Sequence, residues 1–129
     1  MNVLFEDANL RVEHHPLDRL LLGIRKPSGA TAEEVLASMR ASLAVDTRPF
    51  GPLAFVLDVR AIVGRNDEDF ERASSEMRRI VASRSTRFVV LVATMVGALQ
   101  TRRLAGQDGQ PILIATTEEE AFRMARGDA

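Results

Sequence analysis

Two stretches of the chain are apolar almost without interruption. Phe88 to Ala93 reads FVVLVA, and Leu53 to Val59 reads LAFVLDV, broken only by Asp58 near its end. Runs this short and this apolar predict strands buried on both faces, as in the middle of a parallel sheet. Around them the pattern is half-polar. Asn2 to Glu6 and Leu10 to His14 alternate weakly, with Val3 and Phe5 on one side of the first and Leu10 and Val12 repeating the pattern in the second. His14, His15 and Pro16 break it. Arg19 to Lys26 (RLLLGIRK) predicts a third strand, ended by Pro27, Ser28 and Gly29. Strands joined this tightly should pair antiparallel.

A period of 3.6 takes over at Thr31. Thr31 and Glu34 form a capping box, and Val35, Leu36, Met39 and Leu43 mark the buried stripe of a helix running to Ala44. Asn66 to Ser83 predicts a second helix with Phe70, Ala73, Met77, Ile80 and Val81 inward. Thr94 caps a third, expected to end near Leu104 before Gly106. After Pro111 the run ILIA is a last strand. Thr117 and Glu120 repeat the capping box before a terminal helix, Glu118 to Arg126, with Ala121, Phe122 and Ala125 inward. The order is two or three strands, then helix–strand–helix–strand–helix–strand–helix. It predicts an α/β single domain: a mixed β-sheet with antiparallel N-terminal strands and parallel C-terminal strands, covered by about four helices.

Composition narrows the chemistry. The 129 residues suit one domain spanning 1–129. A net charge of −1 argues against bulk attraction to nucleic acid or membranes. The arginines Arg78, Arg79, Arg84, Arg87, Arg102 and Arg103 come with no nucleic-acid recognition motif, and a solvated helix face is the reading preferred. The absence of cysteine removes disulfides and thiolate chemistry. No apolar run approaches the ~20 residues of a membrane span. The first 15 residues lack a signal-like segment, so a cytoplasmic protein is expected.

No residue set points to catalysis, and the chain is expected not to be an enzyme and to use no cofactor. His14 and His15 would point to opposite faces of a strand and could not share a metal, so an exposed strand end is the default and no metal site is expected. Asp58 ends a central strand where a receiver-type phosphoacceptor would sit, but that chemistry also needs an acidic pair for Mg²⁺ after the first strand and a later lysine; here the first strand is followed only by Glu6 and Asp7, with Ala8 and Asn9, and Lys26 is the only lysine. Its ordinary role would be to accept hydrogen bonds from backbone amides of the following loop. The Gly64 loop is neither a Walker nor a dinucleotide loop. Anions need a helix start free of acids. Only the third helix offers one, which makes Thr94, Val96 and Gly97 the candidate anion-binding residues, against the simpler reading of a strand–helix turn.

FVLDVRAI resembles the central strand and following loop of STAS domains, the fold of bacterial anti-sigma-factor antagonists. FVVLVA, PILIA and TTEEEAFRMA resemble that family's last two strand–helix units. The resemblance implies a non-enzymatic protein-interaction and regulatory module of a bacterial signalling system. Its partner would meet Arg60, Gly64, Arg65, Asn66 and Asp67 and the exposed side of the second helix; a homodimer is also open. Where the family carries a phosphorylated serine, this chain reads VGRNDED, with no Ser or Thr between Thr47 and Ser74. Asp67 would hold a permanent negative charge there, imitating the phosphorylated form, unless it serves only helix capping. The alternative function is a binding module for a small apolar or lipid-like ligand. A pocket between the first helix and the sheet would favour it, whereas an exposed apolar patch on a flat surface would favour the partner.

Overall fold

The structure, a computed structural model, describes residues 1–62, 68–108 and 112–128. Six strands form one sheet: β1 (Asn2–Glu6), β2 (Leu10–His15), β3 (Leu20–Arg25), β4 (Ala54–Asp58), β5 (Phe88–Leu91) and β6 (Ile112–Ala115). They lie in the sheet in the order in which they occur in the chain. β1, β2 and β3 are antiparallel neighbours, and β3, β4, β5 and β6 run parallel. The sheet is therefore mixed in the way the hydrophobic pattern predicts.

Four α-helices lie among the described residues: α1 (Ala32–Leu43), α2 (Glu68–Arg84), α3 (Met95–Asp108) and α4 (Glu118–Arg126). Sequential strand order has a consequence. Right-handed crossovers that always step in the same direction place their helices on the same face. α1, α2 and α3 accordingly cover one face, where Leu10, Val12, Val35, Met39 and Met77 form one cluster and Phe55, Phe88, Val90, Val81 and Ala98 another. α4 follows the last strand and packs on the other face. There Ala121 and Ala125 lie against Leu20, Leu22, Val56, Val89 and Leu91. Leu20, Val56, Val89 and Leu91 are fully buried, and each such side chain contributes about 1.5–3 kcal/mol.

Caps fix the helix starts. Thr31 accepts the Glu34 amide while the Glu34 carboxylate accepts the Thr31 amide, the full reciprocal box. Thr117 accepts the Glu120 amide at the start of α4. The β1–β2 turn is tied to α1 by Asp7, which accepts the Asn9 and Leu10 amides with one oxygen and the Ser38 hydroxyl, at 2.6 Å, with the other.

Two local expectations need correction, the end of β2 and the end of α3. β2 runs through both histidines and is broken only at Pro16. The loop after α1 contains a 3-10 turn, Arg48–Phe50, which stacks its Phe50 ring on His14 at 4.0 Å. α3 continues past Gly106 to Asp108, because one glycine costs a helix only about 1 kcal/mol relative to Ala.

The two histidines do take opposite faces, but His14 is not an exposed strand end: it is only 6% accessible. His15 faces α4, bonded to Glu13 at 2.9 Å and in edge contact with Phe122. Burial holds the His14 imidazole below its ordinary value, helped by repulsion from His15 and the N-terminal ammonium. Burial also works against ionisation of Glu13, but its hydrogen bonds from His15 and Arg11 outweigh this and hold its carboxyl below the usual range. A group with a depressed folded pKa stabilises the fold above its unfolded value and loses that contribution as pH falls towards the folded one. The urea midpoint should therefore be flat above about pH 7, fall from near pH 6.5, and fall again below about pH 4.5. His14→Phe, which keeps a ring on Phe50, should remove the first step. A wild-type midpoint unchanged between pH 7 and pH 5 would contradict this.

Candidate functional site

The parallel strands all end at one edge of the sheet, where open α/β sheets bind their ligands. β4 delivers Asp58 to that edge as a buried carboxylate. Its Oδ1 accepts the Arg60 backbone amide at 3.0 Å, the loop contact expected of it. The Arg60 side chain then closes back: Nε donates to Oδ1 at 3.0 Å and Nη2 to Oδ2 at 2.8 Å. This two-bonded fork holds the guanidinium protonated more firmly than usual, chiefly through the Asp58 hydrogen bonds. Arg60 Nη2 also stands 3.8 Å from Glu118 Oε2, at the start of α4. Arg60 thus joins the end of β4 to α4. It is part-exposed at the edge, but its charge is committed within the chain.

The expected partner residues Gly64, Arg65, Asn66 and Asp67 lie outside the described residues. Of the residues named for partner binding, only Arg60 is placed.

Thr94 caps α3, its hydroxyl accepting the Gly97 amide at 3.0 Å. That amide, one of the donors an anion would need, is thereby occupied. The first turn instead presents side chains. Met95 is 64% accessible, Val96 75% and Leu99 62%, while Ala98 between them is buried against the sheet. Positions i and i+4 lie on one face of a helix, so Met95 and Leu99 form an exposed apolar pair, with Val96 next to Met95, at the same end of the sheet as Arg60. Val96 is among the residues the sequence offers for an anion; Met95 and Leu99 are not. The signal lies in TMVGALQ, a helix start with no acid whose own side chains are exposed. Arg102 and Arg103 are exposed further along α3.

A second feature lies at the opposite ends of the strands. A cavity of about 110 Å³ opens between the C-terminal ends of α1 and α2 and the sheet, with Val12, Leu21, Leu43, Phe55 and Val81 among its walls. Among the described residues no group of three or more His, Asp and Glu is arranged to hold a metal ion, and no helix is long and apolar enough to cross a membrane. No family model, curated protein or solved structure matches the chain.

Proposed function

We propose that the chain is a non-enzymatic protein-interaction and regulatory module, cytoplasmic and STAS-like, that meets a protein partner with the edge of the sheet where the parallel strands end. The observation that carries this reading is the apolar patch of Met95, Val96 and Leu99. Contiguous exposed apolar side chains rimmed by charge mark interaction surfaces more often than accidents of composition. Arg60 and Glu118 bring charge to the same end of the sheet. The fork from Arg60 to Asp58 fixes that guanidinium before a partner arrives, which lowers the ordering cost of association. The resemblance of FVLDVRAI and its neighbours to STAS domains supports the same reading and brings the Arg60–Asp67 loop into it.

The test is capture of partners from a lysate by the wild-type chain and by Met95→Asp/Leu99→Asp, with mass spectrometry and a melting curve for both. A partner retained by the wild type should drop at least tenfold on the variant, since loss of an interface anchor costs about 2 kcal/mol or more. The melting temperature should hardly move, because exposed substitutions stay within about 0.5 kcal/mol. Equal retention would remove the patch from the function. In this reading Asp67 acts as a fixed charge in place of a phosphate, and Asp67→Asn weakens the same partner without unfolding the chain.

The cavity beneath α1 and α2 favours a second reading, a module for a small apolar ligand.

A further inference from the structure

The cavity between α1, α2 and the sheet is walled largely by aliphatic and aromatic carbon, with Ser42, Thr47, Arg84 and Ser85 as its polar side chains, and the protons of the two serine hydroxyls are spent elsewhere. The Ser42 hydroxyl donates to the Met39 carbonyl at 2.7 Å, and the Ser85 hydroxyl to the Val81 carbonyl at 2.7 Å. The lining amides are also engaged, Gly51 with Arg48 at 3.2 Å, Ala54 with Arg19 at 3.0 Å and Phe55 with Arg87 at 2.9 Å. A hydroxyl carries one proton and two lone pairs, so Ser42 and Ser85 retain only acceptor capacity.

Charge points the same way. α1 and α2 both bring their C-terminal ends to the cavity. Helix C-termini carry partial negative charge and disfavour anions. Arg84 is the cation in the lining, and its Nη1 already donates to the Leu43 carbonyl at 3.2 Å, which offsets the end of α1.

We infer that this cavity is a binding site for a small neutral molecule with an apolar body and one O–H or N–H donor, of the phenol class. The inference rests on the ligand reading above and does not use the Met95–Leu99 surface. The size agrees. An apolar cavity of about 150 Å³ takes up benzene, and the present volume of about 110 Å³ admits one ring that sits partly in the mouth. The ring replaces empty space against Val12, Leu21 and Val81, and its donor finds a lone pair on Ser42 or Ser85. A carboxylate in the same place would meet two helix C-termini, whose partial negative charge opposes it.

The experiment is an amide NMR titration of the full chain with phenol, toluene and benzoate. Phenol should shift the amides of 42–45 and 81–85 in a saturable manner. Toluene should bind the same residues about three- to tenfold more weakly, the value of one neutral hydrogen bond. Benzoate should give no saturable shift. Ser42→Ala/Ser85→Ala should abolish the preference for phenol and leave toluene binding in place. Val81→Phe, or Leu43→Phe should the first not fold, should fill the space and abolish both. Absence of saturable shifts with phenol and toluene would overturn the site, and with it the ligand reading. Equal affinity for phenol and toluene, or tighter binding of benzoate, would overturn the selection for a neutral donor. Neither failure bears on the partner surface.

Discussion

Phe55→Ala is expected to lower the unfolding free energy by about 3–5 kcal/mol, the usual loss when a large aromatic side chain leaves a packed core. Phe55 is 8% accessible and sits in the middle of the sheet, its ring edge-on to Phe88 with centroids 6.1 Å apart. The loss has two parts: the transfer of the ring out of water is forfeited, and a hole remains that the strands on either side cannot close. The hole would adjoin the cavity that Phe55 already lines, so little collapse should offset it. Leu17→Ala provides the contrast. Leu17 is 97% accessible in the β2–β3 turn, and its removal should change the urea midpoint by no more than about 0.5 kcal/mol. Comparable losses from the two substitutions would mean that the central strand is misplaced.

The second large effect comes from a residue with no side chain. A Cβ at Gly23 would stand 2.8 Å from Phe55 Cζ and 3.1 Å from Cε1. The Phe55 ring therefore occupies the space that any other residue at 23 would need. Gly23→Val should cost about 1–3 kcal/mol by overpacking. The cost should shrink when the ring is shortened first. In a Phe55→Leu background Gly23→Val should be milder by an interaction energy of about 0.5–3 kcal/mol, read from a double-mutant cycle in urea. Strict additivity of the two would show that ring and glycine do not share that space.

The parts of this fold that could be read from the sequence are those fixed by local rules. The run FVVLVA predicts a buried strand, and its first four residues form one. Thr31 with Glu34 and Thr117 with Glu120 place two helix starts to the residue. The parallel half of the sheet follows from the alternation of such strands with helices. What could not be read depends on residues far apart in the chain. His14 looks like a polar strand end, and it is buried because Phe50, from a turn beyond α1, lies flat on it. The β2–β3 turn closes on Arg19 with φ of 53°, a conformation that the sequence, without a glycine or asparagine there, does not advertise. Gly106 reads as a helix stop but is passed over.

The candidate site divides in the same way. The backbone contact of Asp58 was legible, because an aspartate after a strand usually caps its own loop. The return of the Arg60 side chain onto Asp58, and its reach to Glu118, were not, because they need the start of α4 to lie beside the end of β4. The apolar first turn of α3 was visible as letters, but its exposure depends on Ala98 being the residue that faces the sheet.

The claim that a protein partner covers this edge is tested most directly by hydrogen–deuterium exchange of the chain with and without its captured partner. Bound partner should slow exchange in 58–62 and 92–103 and leave the amides of 32–45, on the first helix, unchanged. Protection confined to 32–45 and 77–85, around the cavity, with none in 92–103, would contradict it.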